Sequence, residues 1–172
     1  VSNGKLYVIG FIVGGPSNFW LGEENLQDGS ITVLGNLLNY SGCNGSIQTI
    51  GGLGNSLYLA STAVSNTAGF GGTCDNGAPV AGQESLYRLN PSTGAMTYIG
   101  NTGLTSGSAK NFFSAGGVLY LINSSNPSKL YAVNTDTGVS TLAQTLAIQI
   151  KSASSSDAAP PTPTPISNTA LL

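Results

Sequence analysis

Leu86-Tyr87-Arg88-Leu89-Asn90-Pro91-Ser92-Thr93-Gly94-Ala95-Met96-Thr97-Tyr98-Ile99 lies without a gap on Leu130-Tyr131-Ala132-Val133-Asn134-Thr135-Asp136-Thr137-Gly138-Val139-Ser140-Thr141-Leu142-Ala143, 44 residues further on. A third copy runs from Phe19-Trp20-Leu21-Gly22 through Asn25-Leu26-Gln27-Asp28-Gly29 to Ile31-Thr32-Val33-Leu34. The common frame is an aromatic strand, an Asn-x-x-x-Gly turn and a Thr-containing strand. Asn at a strand end hydrogen-bonds the backbone that follows it, and Gly takes a positive φ at no steric cost. This chemistry sets the register of a hairpin. Within the strands Tyr87 and Leu89 share one face and oppose Leu86 and Arg88, while Tyr131 and Val133 oppose Leu130 and Ala132. Apolar residues on both faces suit sheets that stack.

Working outward, each hairpin is preceded by another aromatic strand, at Leu6-Tyr7, Leu57-Tyr58 and Leu119-Tyr120. Further strands near Ile47 to Ile50 and Asn111 to Ser114 raise the second and third units to four strands. The 44-residue offset is close to the roughly 40–45 residues of a four-stranded propeller blade. The sequence therefore predicts an all-β fold, a propeller-like array of about three four-stranded antiparallel blades over residues 1–150, followed by an extended Ser/Thr/Pro-rich tail over 151–172. The first unit begins at its second strand. Leu146, Ile148 and Ile150 alternate with Ala147, Gln149 and Lys151, a strand pattern expected to complete the first unit of this chain or of a neighbouring copy. Three blades are fewer than the roughly four to eight of ordinary propellers, so a dimeric ring, an open stack or strand exchange between copies is expected to cover the open faces.

The phrase Leu-Tyr-x-Leu-Asn-Pro-x-Thr-Gly, residues 86–94, resembles repeats of bacterial secreted β-propeller proteins. The resemblance implies blade-like hairpins; activity is not implied, since propellers serve as enzymes, lectins and scaffolds alike. The closing stretch Pro161-Thr162-Pro163-Thr164-Pro165-Ile166 resembles the start of a carboxy-terminal sorting signal of bacterial exported proteins.

Composition narrows the function classes. Charged residues make up 7% of the 172 residues, with five basic and seven acidic side chains, against roughly 25% in ordinary domains. With 40% hydrophobic residues the chain still has the apolar surface to fold. Its surface is neutral, built of Ser, Thr, Asn and Gly, and calls for glycans or neighbouring copies to keep it hydrated or covered. Both point outside the cell, with a homo-oligomer or homopolymer as partner. Five basic residues give no phosphate-neutralising patch, which excludes nucleic acid. No apolar run reaches the roughly 18 residues of a membrane span, and the sequence reads as a mature secreted product without a signal peptide.

Cys43 and Cys74 stand in Gly- and Asn-rich segments and are expected to form a disulfide that ties down the insertion between residues 62 and 83; two separately packed thiols are the alternative. Glycan attachment is expected among the sequons at Asn39, Asn44 and Asn123 and at Thr162 and Thr164 of the tail. Pro161, Pro163 and Pro165 make that tail extended, a stalk or an arm along a partner.

For catalysis the chain offers Glu23, Glu24, Asp28, Asp75, Glu84, Asp136 and Asp157 and has no His. Glu23 and Glu24, adjacent on a strand, diverge to opposite faces. No Asp-x-Asp-x-Asp spacing gathers oxygens for calcium, and no zinc or phosphate-loop motif occurs. No enzyme activity and no cofactor is expected. Trp20 and Tyr40 stand outside the strict repeat and are the candidates for stacking on a sugar.

Overall fold

A computed structural model of the chain describes residues 5–11, 19–36, 47–62, 83–92, 96–105, 108–123 and 125–150. These form β1 (Leu6–Phe11), β2 (Phe19–Glu24), β3 (Ile31–Asn36), β4 (Ile47–Leu53), β5 (Ser56–Thr62), β6 (Gln83–Leu89), β7 (Met96–Thr105), β8 (Ala109–Ala115), β9 (Val118–Asn123), β10 (Lys129–Val133) and β11 (Ser140–Thr145). The fold is all-β. Among the described residues no helix is long and apolar enough to cross a membrane.

Every strand pairs antiparallel with its neighbour in sequence, giving three meanders: β1-β2-β3, β4-β5-β6-β7 and β8-β9-β10-β11. The first sheet has three strands and the others four, as the aromatic-strand frame anticipates. The Asn-x-x-x-Gly turns close as expected at two places. Asn25 and Asn134 accept, on their backbone oxygens, the amides of Gly29 and Gly138 at 2.8 Å each. The Asn134 side-chain oxygen takes the amides of Asp136 and Thr137 at 2.9 and 3.0 Å, and that of Asn25 takes Gln27 N–H at 2.9 Å. Gly29 and Gly138 have φ of 72° and 81°, a conformation in which a Cβ is costly. Asn90 accepts Ser92 N–H in the same way; Gly94 lies outside the described residues.

The second sheet carries apolar residues on both faces because it is covered on both. Leu57, Leu59, Tyr87 and Leu89 form one core with Leu21 of the first sheet, flanked by Tyr7, Ile9 and Leu34. Tyr58, Ala60 and Leu86 turn the other way and pack with Ala109, Phe112, Leu119, Leu121 and Val133 of the third sheet. Leu57, Leu59, Leu86, Leu119 and Leu121 are fully enclosed, each contributing about 1.5–3 kcal/mol of burial. Strands β4 and β8 lie side by side, whereas β7 and β11 meet far less, so the sheets converge at their first strands.

Glycines set how closely they converge. A Cβ at Gly51 of β4 would overlap Phe112 of β8, and one at Gly100 of β7 would overlap the Thr137 carbonyl oxygen. Polar links reinforce the junction: Phe112 N–H donates to Thr49 Oγ1 at 3.0 Å, and Ala109 N–H to Glu84 Oε1 at 2.6 Å. The third strand of each sheet is joined to the outermost one across a register shift at a corresponding step, Leu21/Gly22, Leu86/Tyr87 and Leu130/Tyr131. Such bulges bend and twist the outer strand.

The segment after β11 departs from the expected strand. Leu146 N–H donates to the Ser128 carbonyl oxygen at 2.8 Å, Ser128 N–H to the Ile148 oxygen at 3.2 Å, and Ile150 N–H to Ser128 Oγ at 2.8 Å. Leu146, Ile148 and Ile150 thus wrap around the buried Ser128 at the start of β10 and do not pair with β1. The nearer partner closes the smaller loop, which costs less chain entropy than a return across the array.

Candidate functional site

The outer faces of the first and third sheets form the candidate site. On the first, the register pairs Leu6 with Glu24, Val8 with Gly22 and Gly10 with Trp20, then Gly22 with Val33 and Glu24 with Ile31, so these residues share one face. It is directed away from the core that Tyr7, Ile9 and Leu21 make with the second sheet. Ile31 and Val33 are 47% and 58% exposed and Leu26, on the adjoining turn, is 68% exposed. The Trp20 indole lies flat on this face: a Cβ at Gly10 would overlap it, and one at Gly22 would stand 2.7 Å from it and 2.6 Å from Ile31.

In the second sheet the same places of the register are held by Leu57, Leu59, Tyr98 and Met96. All four pack into the core against the first sheet. Leu6, Val8, Val33 and Ile31 therefore make a core-type surface on the end of the array.

The third sheet ends on the opposite kind of face. Tyr120 pairs with Ala132 and with Phe113, and Leu130 with Ile122 and Gln144; the Phe113 and Tyr120 rings stack at 5.3 Å and 18°. Their counterparts in the second sheet, Tyr58, Ala60 and Leu86, are buried under the third sheet. Two positions differ. Phe113 stands where the second sheet has Gly51, and Gln144 where it has Gly100.

The acidic residues go separate ways. Glu23 pairs with Lys5 at 2.9 Å in an exposed ion pair, which raises the Lys5 pKa through the hydrogen bond first and the charge second, and Glu24 turns to the other face. Asp28 accepts Ser30 N–H at 2.8 Å, and hydrogen bonds from Ser30 lower its pKa. Asp136 is exposed on its turn. Glu84, grouped by sequence with the other carboxylates, is fully buried between the second and third sheets. No cluster of three metal-ligating side chains occurs among the described residues.

Asn123 closes β9 instead of standing in a loop. Its side-chain oxygen accepts Lys129 N–H at 3.0 Å and Ser125 Oγ–H at 2.7 Å, holding the turn into β10. Cys43, Cys74, Asn39, Asn44, Tyr40, Asp75, Asp157, Thr162, Thr164, Pro161, Pro163 and Pro165 lie outside the described residues. The end faces themselves escaped the sequence reading; comparing aligned positions of the first and second hairpins for exposure is the signal that finds them.

No protein-family model matches the chain, and no curated protein matches it either.

Proposed function

We propose that the chain is a structural subunit of an extracellular filament, sheath or surface coat that assembles from copies of itself. Its three sheets are read as blades of a propeller-like array, left open at both ends. The observation that carries this reading is the apolar end face of the first sheet, whose positions Leu6, Val8, Ile31 and Val33 have core residues as counterparts one sheet further on. Contiguous apolar ground of this kind marks an interaction surface. The convergence of the sheets at β4 and β8 supports the blade reading, since propeller sheets pack around a common axis by their innermost strands.

A charged fraction of 7% supports assembly, because little charge repulsion opposes contact between copies. The extracellular setting rests on that composition, on a disulfide between Cys43 and Cys74, and on glycans carried at Asn39, Asn44, Thr162 or Thr164; the Pro/Thr arm lies along a neighbouring copy. The role assigned is non-catalytic. Electron microscopy of the purified chain tests it: regular filaments or sheets support the proposal, and a field of isolated particles at high concentration counts against it.

A carbohydrate-binding or adhesive role is the second reading, favoured by the Trp20 indole laid across Gly10 and Gly22, since a flat exposed ring edge offers a sugar an apolar surface. A polar groove of about 420 Å³ beside Glu23, Glu24, Asn25 and Gln27 would supply hydrogen bonds. Glycan-array binding lost in Trp20→Ala supports it; absence of any binding by the native chain removes it.

A further inference from the structure

The self-assembly reading leaves open which surfaces meet, and the two internal junctions of the array suggest a geometry. Each junction is polar: the face bearing the Tyr7 or Tyr58 type of residue on one sheet receives the face bearing the Leu57 or Leu119 type on the next. The first sheet ends the array with an unused face of the second type, Leu6, Val8, Ile31 and Val33. The third ends it with an unused face of the first type, Tyr120, Ala132, Ile122 and Leu130.

We infer that these two faces bind one another between copies, so that the third sheet of one molecule seats the first sheet of the next as the second sheet seats the third. The inference rests on the self-assembly reading and continues an interface the chain already makes within itself. A surface that binds a different surface of its own kind is heterologous, and it produces either a closed ring or an open filament.

The two glycine replacements shape this contact. Among the described residues the first sheet has three strands, with none in the place of β8, the strand that presses Phe112 on Gly51. Phe113, standing in the Gly51 place, projects its ring onto that ground. At the outer edge Gln144 replaces Gly100, the residue on which the Gly138 turn is seated. The turn of an incoming copy, Asn25 to Ser30, meets the Gln144 side chain and sits further out than the internal turn does. Contact between copies is thereby made weaker than contact within the chain.

Two exposed positions test the pairing with no cost to the core: Val33→Glu blocks the first-sheet face and Gln144→Glu the third-sheet face. Sedimentation velocity of native chain, each variant and their equimolar mixture is the measurement. The native chain is expected to associate, each variant alone to lose association at least tenfold, and the mixture to form a one-to-one dimer through the single intact pair of faces. Gln144→Gly is expected to associate several-fold more tightly than the native chain. If the native chain assembles but a single variant still does so, or the mixture stays monomeric, the face assignment is overturned while self-assembly stands. A native chain that never associates overturns both.

Discussion

Gly138 sits backbone to backbone on Gly100: a methyl group at 138 would stand 2.7 Å from the Gly100 carbonyl carbon and 2.8 Å from its oxygen. Gly138 also has φ of 81°, so the turn of the third sheet needs glycine for its own conformation and again for its seat on the second. Gly29, its counterpart on the first sheet, has φ of 72° and nothing within 4 Å of a Cβ. Gly29→Ala is expected to cost about 1–2 kcal/mol from the left-handed conformation alone. Gly138→Ala adds a backbone collision and is expected to cost clearly more. Urea denaturation of the two variants checks the difference, and equal losses would contradict the seat.

Glu84 ties the second sheet to the third by accepting Ala109 N–H at 2.6 Å in a fully buried setting. Removing the acceptor strands a buried donor, at about 1–3 kcal/mol. Glu84→Ala is therefore expected to lower stability by at least that amount, and Glu84→Gln, which keeps an oxygen acceptor, to lose less. Equal effects in chemical denaturation would show that the acceptor is immaterial.

Ser128 holds the segment after β11 through its backbone and its hydroxyl. Ser128→Ala deletes the acceptor of Ile150 N–H and is expected to speed exchange of that amide with solvent several-fold. The Leu146 amide, bonded to the Ser128 backbone oxygen, should change little. Hydrogen exchange followed by nuclear magnetic resonance separates the two, and unchanged exchange at Ile150 would refute the anchoring role.

Asp28 has its pKa lowered from the ordinary 3.8 by hydrogen bonds from the Ser30 hydroxyl and then its amide. A depressed carboxyl stabilises the folded state above its unfolded pKa, and that contribution disappears as pH falls through the folded value. The Asp28 carboxyl resonance is expected to titrate with a midpoint below 3.8, and the hairpin Asn25 to Ser30 to loosen only under more acid conditions. A midpoint at or above 3.8 would remove the turn bond from the account.

The hairpin frame was open to reading because its causes are local: Asn25 and Asn134 bond to amides two or three residues on, and Gly29 and Gly138 supply the positive φ. Stacking was open to reading as well, from Tyr87 and Leu86 both being apolar on opposite faces. What stayed hidden depends on distant neighbours. Gly51 and Gly100 look like weak points of strands until Phe112 and Thr137 are brought against them, and Glu84 resembles any other acidic residue until Ala109 needs an acceptor. The alternation of Leu146, Ile148 and Ile150 is a true strand pattern overridden by Ser128, which offers backbone partners closer along the chain than β1 does.

The central claim is that this chain associates with itself through the ends of its sheet array. Sedimentation velocity of the purified native chain over a wide concentration series tests it most directly. A distribution that moves from monomer to larger species as concentration rises is the predicted result, and a single monomeric boundary at every concentration would contradict it.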